Sequence, residues 1–131
     1  MNRLIAFAAM VLIFFAVSTA DAAQQKVTVT VYVVPAYKDF AMEVDGYLKR
    51  ELRKLKDVTV VEKNGDFFIS VVAAPIKNND QVIGVALSYF FKRKEFSMHN
   101  LDVGQIETLE NMCQRVVTIF NSTFLKRYRE K

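Results

Sequence analysis

The stretch Asp66–Phe91 constrains the fold more than any other part of the chain. Two apolar runs, Phe67–Ala74 and Val82–Phe91, flank the polar segment Lys77-Asn78-Asn79-Asp80. Runs rich in β-branched and aromatic residues, joined by a short polar segment, read as a long antiparallel hairpin. A two-residue turn at Asn78-Asn79 would mix bulky and small side chains on each face. A three-residue loop, Asn78-Asn79-Asp80, instead pairs Phe67 with Phe91, Ile69 with Tyr89 and Val71 with Leu87. All the bulky side chains then share one face. A one-residue slip would reverse every side chain, so this sorting sets the register, and the odd loop implies a bulge.

The rest of the chain is read as what joins and covers this sheet. Lys26–Val34 alternates and is rich in valine and threonine, a strand ended by Pro35. Ala36–Leu55 carries Tyr37, Phe40, Ala41, Val44, Leu48, Leu52 and Leu55 at helical spacing, one apolar stripe on a helix. Gly46 is a weak point inside it that would permit a close helix approach. Asp57–Glu62 is a short strand, and Asn64-Gly65 offers a type I′ turn that would place Val61 opposite Phe68. Residues 92–100 read as a polar connection. A last helix is expected from Asp102, as N-cap with Gln105 three positions on, to about Tyr128.

The order β-α-β-β-β-α makes a two-layer α+β sandwich: a four-stranded mixed sheet with two helices on one face. The first two strands, if they share the sheet, are parallel across a helical crossover. The first strand lies beside either the second or the fourth. One sheet face collects Val27, Val29, Val31, Val33, Val58, Val60, Phe67, Ile69, Val71, Val85, Leu87, Tyr89 and Phe91, and needs cover. The other is small and hydroxyl-rich, with three aromatics, Tyr32, Phe68 and Phe90.

The N-terminus bears on compartment. Arg3 precedes the apolar run Leu4–Val17, and Ala20-Asp21-Ala22 has the small-x-small form of a cleavage site. Residues 1–22 therefore read as a signal peptide and 23–131 as a single domain. Cleavage after Ala20 and retention as an uncleaved anchor are the alternatives. The run falls short of the roughly 20 apolar residues of a membrane span. A periplasmic or secreted destination follows. The net charge is +4, mildly basic, and suits an anionic envelope or polymer better than a nucleic acid.

Few residues carry chemistry. Cys113 is the only cysteine and falls in the apolar stripe of the last helix, where a thiol packs as a small hydrophobe; an intermolecular disulfide or redox role is the alternative. His99 is the only histidine, read as a surface-loop residue rather than a ligand or base. No H-x-x-x-H, C-x-x-C or glycine-rich phosphate loop is present, so no metal, cofactor or nucleotide is expected. Glu107 and Glu110 read as a solvated pair on the last helix. Asn121-Ser122-Thr123 matches a glycosylation sequon within a helix, which we read as chance.

Three basic clusters remain: Lys49/Arg50/Arg53/Lys54/Lys56, Lys92/Arg93/Lys94 and Lys126/Arg127/Arg129/Lys131. Helix ends favour cations; an anionic lipid or polymer is the other use for these side chains, with Lys49, Arg50, Arg53, Lys54, Lys92, Arg93 and Lys94 as candidate contacts. Tyr32, Phe68 and Phe90 are the candidate protein-binding residues, because a contiguous apolar patch marks an interface.

The strand Val27–Val34, the helix ending Leu48-Lys49-Arg50-Glu51-Leu52, the strand Val58–Glu62 and the strand Asp66–Ala74 resemble, in order and type, the N-terminal domain of TolB and related CsgG-like envelope assembly domains. The resemblance implies a docking or assembly module, and supplies no site residue. The expected function is therefore a non-catalytic exported protein that binds another envelope component or itself. The alternatives are a small secreted hydrolase or ligand-binding domain using His99 with a carboxylate, and an electrostatic binder of anionic polymer or membrane.

Overall fold

A computed structural model describes residues 26–131. The expected leader lies outside the described residues. Strand β1 (Val27–Val33) leads to helix α1 (Lys38–Arg53). Strands β2 (Val58–Val60), β3 (Phe67–Asn78), β4 (Gln81–Arg93) and β5 (Phe96–Gly104) follow. A 3₁₀ turn (Ile106–Thr108), helix α2 (Leu109–Ile119), a π turn (Phe120–Leu125) and helix α3 (Lys126–Arg129) then continue in helical backbone. The strands form one open five-stranded mixed sheet in the order β2-β1-β3-β4-β5. No helix among the described residues is long and apolar enough to cross a membrane.

The α+β sandwich is as expected, with one strand more. Residues 96–104, read as a connection and a helix start, are the edge strand β5. Its partner is β4, with Phe91 opposite Met98 and Leu87 opposite Asp102. Asp102 does not cap a helix. Its carboxylate accepts hydrogen bonds from Arg115 on α2 at 2.7 and 3.0 Å.

The β3–β4 hairpin sorts its faces as the sequence demands, but two residues out of the expected register. Ile69 faces Phe91, Val71 faces Tyr89 and Ala73 faces Leu87. The turn is Asn79-Asp80, with φ of 47° and 65°, the left-handed backbone of a type I′ turn. The expected three-residue loop Asn78-Asn79-Asp80 therefore does not form, and the extra residue sits inside the strand: Ile76 faces Gly84 while Lys77 faces Val82, so Ile83 is bulged. A shift of two keeps parity, and parity is what burial specifies. The strand also runs through Pro75. Beyond Val71, opposite the end of β1 at Val33, β3 has no neighbour on that side, so a missing N–H breaks no ladder.

The expected β2–β3 hairpin does not form. β1 lies between β2 and β3 and is parallel to both, with Val27 beside Val58 and Val31 beside Ile69. Parallel neighbours need crossovers. From β1 the chain reaches its neighbour β2 through α1, on the apolar face. From β2 it passes over β1 to β3 through residues 61–66, which lie against Thr28 and Thr30 on the other face. The Thr28 amide and hydroxyl both donate to Asp66 Oδ2, at 3.0 and 2.8 Å, and the Asp66 amide donates to Thr28 Oγ1 at 2.9 Å. The Gly65 amide donates to Thr30 Oγ1 at 2.9 Å. Asn64 carries a positive φ of 57°, and no glycine does, so Asn64-Gly65 is not a type I′ turn. Gly65 is there for proximity: a Cβ on it would sit 2.7 Å from the Thr30 amide nitrogen.

The core lies between the apolar sheet face and the helices. Val27, Val29, Phe67, Ile69, Val71, Leu87, Tyr89 and Phe91 are buried against Val44, Leu48 and Leu52 of α1 and Met112, Cys113, Val116 and Phe120 of the last helical segment. Each large side chain so buried stabilises the fold by about 1.5–3 kcal/mol gross. Phe120 and Phe124 straddle Phe67 and Phe91 with ring centroids 5.4–6.4 Å apart. These contacts are mostly edge-on, which the ring quadrupole favours. Cys113 is fully buried and burial pushes its thiol up to about 12.

Gly46 makes no close approach, since a Cβ there would meet nothing within 4 Å. The two glycines therefore respond oppositely to alanine. Gly46→Ala should raise stability by about 0.5–1 kcal/mol, and Gly65→Ala should lower it by about 1–3 kcal/mol, both read from urea unfolding. Equal effects would contradict the crossing of β1 described above.

Candidate functional site

The side of the sheet away from the helices is covered only where residues 61–66 lie on Thr28 and Thr30. Register builds it row by row. Tyr32, Ser70, Phe90 and His99 stand side by side across β1, β3, β4 and β5; Thr30, Phe68, Lys92 and Ser97 form the next row. Val72, Ser88 and Leu101 follow on the other side, then Ala74, Ala86 and Val103. Tyr32 is 51% exposed, Leu101 66% and Val103 57%. Phe68 and Phe90 are half-buried. The Tyr32 and Phe68 rings stack with centroids 6.5 Å apart, while Phe90 stands on the far side of Ser70.

The sequence-expected trio is thus brought onto one face, and β5 widens it. Leu101 and Val103 were missed as surface residues because Asp102-x-x-Gln105 reads as a capping box. The alternation Ser97, His99, Leu101, Val103 was the available signal. β5 also offers nine residues of outer-strand backbone, against three in β2, and outer strands can pair with a further chain.

His99 is on this face rather than in a loop. Its Nε2 lies 2.8 Å from Ser88 Oγ. Both side chains are solvated, and no carboxylate pairs with the ring among the described residues. No group of three His, Cys, Asp or Glu residues that could hold a metal converges there either.

The basic side chains divide into spent and unspent. On α1, Lys49 pairs with Asp45 at 2.9 Å, Lys54 with Glu51 at 2.7 Å, and Arg50 with Glu51 at 3.3 Å and with Glu110 on α2. The Lys54 and Arg50 bonds hold the largely buried Glu51 carboxyl below the usual carboxylate range. Arg53 is exposed. Lys92 falls on the open sheet face, whereas Arg93 and Lys94 turn toward the helix side.

There they meet residues of the C-terminal segment in a cleft of about 320 Å3, lined by Phe67, Arg93, Lys94, Glu95, Phe96, Phe124, Arg127, Tyr128 and Lys131. The Arg93 guanidinium sits over Tyr128 at 4.2 Å and over Phe67 at 5.1 Å; that of Arg127 sits over Phe96 at 5.5 Å. None of the ion pairs among the described residues uses Arg93, Lys94 or Arg127.

A different arginine anchors the same helical end. Arg129 donates from Nε to Asp57 Oδ2 at 2.6 Å and from Nη2 to Oδ1 at 2.7 Å, and from Nη1 to Asn121 Oδ1 at 2.7 Å. Asp57 is 4% exposed. The Arg129 bonds hold its carboxyl below the usual range, against the opposing effect of burial. Thr28 does the same for Asp66.

Both depressed carboxyls contribute stability that is fully present above the unfolded value of about 3.9 and is lost as pH falls through their lower folded values. Arg129→Met should cost about 2–4 kcal/mol at neutral pH, because it leaves Asp57 buried without its partner. It should also flatten the acid limb of the stability curve below about pH 4, measured by urea midpoints at stepped pH. An unchanged acid limb would show that Asp57 is not held in this way.

No protein-family model matches the chain, and no curated protein matches it. Solved structures do. A point variant of the PelC dodecamer from Paraburkholderia phytofirmans is 12% identical over 72% of this chain and 88% of that one, with a TM-score of 0.48. The PelC dodecamer in a second crystal form is 12% identical over 71% and 82%, with a TM-score of 0.44. A minor lipoprotein from Acinetobacter baumannii is 8% identical over 72% and 92%, with a TM-score of 0.42. Likeness at this level assigns no activity or partner to this chain, and none of it shows the TolB-like resemblance suggested by element order.

Proposed function

We propose that this protein is an exported, non-catalytic binding or assembly module of the cell envelope, and that its open sheet face is covered by a partner protein there, a second copy of the chain included. One observation carries the reading: every helix packs on one side of the sheet, while the other side presents Tyr32, Phe68, Phe90, Val72, Leu101 and Val103 together. An exposed apolar surface of this kind, here interleaved with the hydroxyls of Ser70 and Ser88, is the usual mark of a protein interface. Export rests on the N-terminal leader pattern alone.

The face is built for contact rather than chemistry. Apart from Lys92 at one end, its side chains are aromatic, aliphatic or hydroxyl, and the one basic ring, His99, is engaged by Ser88. A hydrolase would need an orienting acid and a sheltered nucleophile beside that ring.

Leu101 and Val103 are the residues to test, because their exposure makes them dispensable to the core. Leu101→Ser with Val103→Ser should leave the urea midpoint within about 0.5 kcal/mol of the parent. The same variant should lose the defined assembly measured by light scattering, at low and moderate salt with reductant, or lose co-purification with its envelope partner when the parent is a monomer. Phe68→Ser with Phe90→Ser should act in the same direction. Variants that keep every interaction of the parent would overturn the reading.

A further inference from the structure

The cleft between the β4–β5 turn and the C-terminal helical end is a separate surface, on the helix side of the sheet. We propose that it binds an oxyanion carried on an apolar stem, a phosphate or carboxylate attached to an acyl or aryl group. The argument starts from what its cations are doing. Along α1 and at its C-terminal end, Lys49, Arg50 and Lys54 are consumed by Asp45, Glu51 and Glu110. In the cleft, Arg93 and Arg127 lie over aromatic rings instead. Such stacking engages the guanidinium through the ring's quadrupole and leaves its fork of N–H donors for an oxyanion.

Two carboxylates bear on the site. Glu95 lines it, and Asp66 is near enough to Arg93 for the charge to be felt, but Asp66 is already committed to Thr28. The balance stays positive, with Lys94 added to the two arginines. The apolar half of the ligand is specified by Phe96 and Phe124, whose rings lie 5.0 Å apart, centre to centre. Phe96 is 49% exposed, an aromatic left half in solvent beside cations that form no ion pair among the described residues. A hydrated inorganic ion would gain nothing from that ring, whereas an acyl or aryl stem would bury it.

Lys94 supports the assignment. It holds a φ of 51°, in the left-handed region that an ordinary side chain adopts only at a cost. A glycine or asparagine there would relieve the turn and remove a cation from the rim.

The probe is octyl phosphate, titrated into the exported chain and followed by amide and aromatic NMR shifts. Saturable shifts are expected at Phe96, Phe124 and Tyr128, weakening as salt is raised. Octyl glucoside, with the same stem and no charge, should not saturate them, and inorganic phosphate should bind at least ten-fold more weakly than octyl phosphate. Lys94→Gln with Arg127→Gln changes only exposed side chains and should weaken octyl phosphate at least five-fold without moving the urea midpoint; Arg93→Met should do the same if its fold is intact. Sedimentation with phosphatidylglycerol vesicles, lost in the Lys94/Arg127 variant, would support the site with a lipid headgroup as its source. Binding of octyl phosphate without vesicle binding would support it with a soluble anion. Shifts absent from the cleft, unmoved by the substitutions, or equal for octyl glucoside would overturn the proposal.

Discussion

The fold turns on β1 being parallel to both of its neighbours. Parallel strands cannot be joined by tight turns, so both the connection from β1 to β2 and the one from β2 over β1 to β3 are crossovers. The first, through α1, delivers an amphipathic helix to the face where Val27, Val29 and Val31 point. The second is too short for a helix and lies flat on the opposite face. It does so because Gly65 lets it approach the backbone of Thr30 and because Thr28 and Asp66 satisfy one another's polar groups. The Asp66 carboxylate takes the Thr28 amide, a donor just short of the β1–β3 pairing that begins at Val29 and Phe67. A buried or crowded amide left without an acceptor would be costly.

From that arrangement follows the asymmetry of the molecule. Both helical segments go to the face of α1, where the aromatic cluster around Phe67, Phe91, Phe120 and Phe124 closes the core. The Asp57–Arg129 pair then ties the C-terminal helix to the start of β2. The return segment 61–66 covers only a small part of the other face. The remainder, from Tyr32 across to Val103, is left to solvent or to a partner. The π turn at Phe120–Leu125 falls where the helix meets Phe67 and Phe91, beside the cleft that holds Arg93 and Arg127.

Burial parity was the legible part of the sequence. Valines alternating along β1 and bulky residues alternating along β3 and β4 identify the core face, and the structure buries those positions with Val33 and Val60 only partly covered. Parity is insensitive to a shift of two, which is why the hairpin's faces are legible while its register and its two-residue turn are not. Asn64-Gly65 misled because the same dipeptide serves a tight turn or a close approach, and only a neighbouring strand decides between them. β5 was hidden because Asp102 can cap a helix or pair with a residue remote in sequence, here Arg115. Tyr32, Phe68 and Phe90 were readable as one surface from alternation alone. Arg127, Phe96 and Tyr128 could not be joined to Arg93 from the sequence, because a strand turn and a distant helical end meet only after the sheet has been covered.

The claim on which the functional reading depends is that the open sheet face, not the helical face, meets a partner in the envelope. A photo-crosslinking side chain placed at Leu101, and separately at Glu43 on the solvated side of α1, tests it directly in intact cells expressing the whole chain. The account predicts a discrete adduct from Leu101, abolished by Phe68→Ser with Phe90→Ser, and none from Glu43. An adduct from Glu43 with none from Leu101 would contradict it.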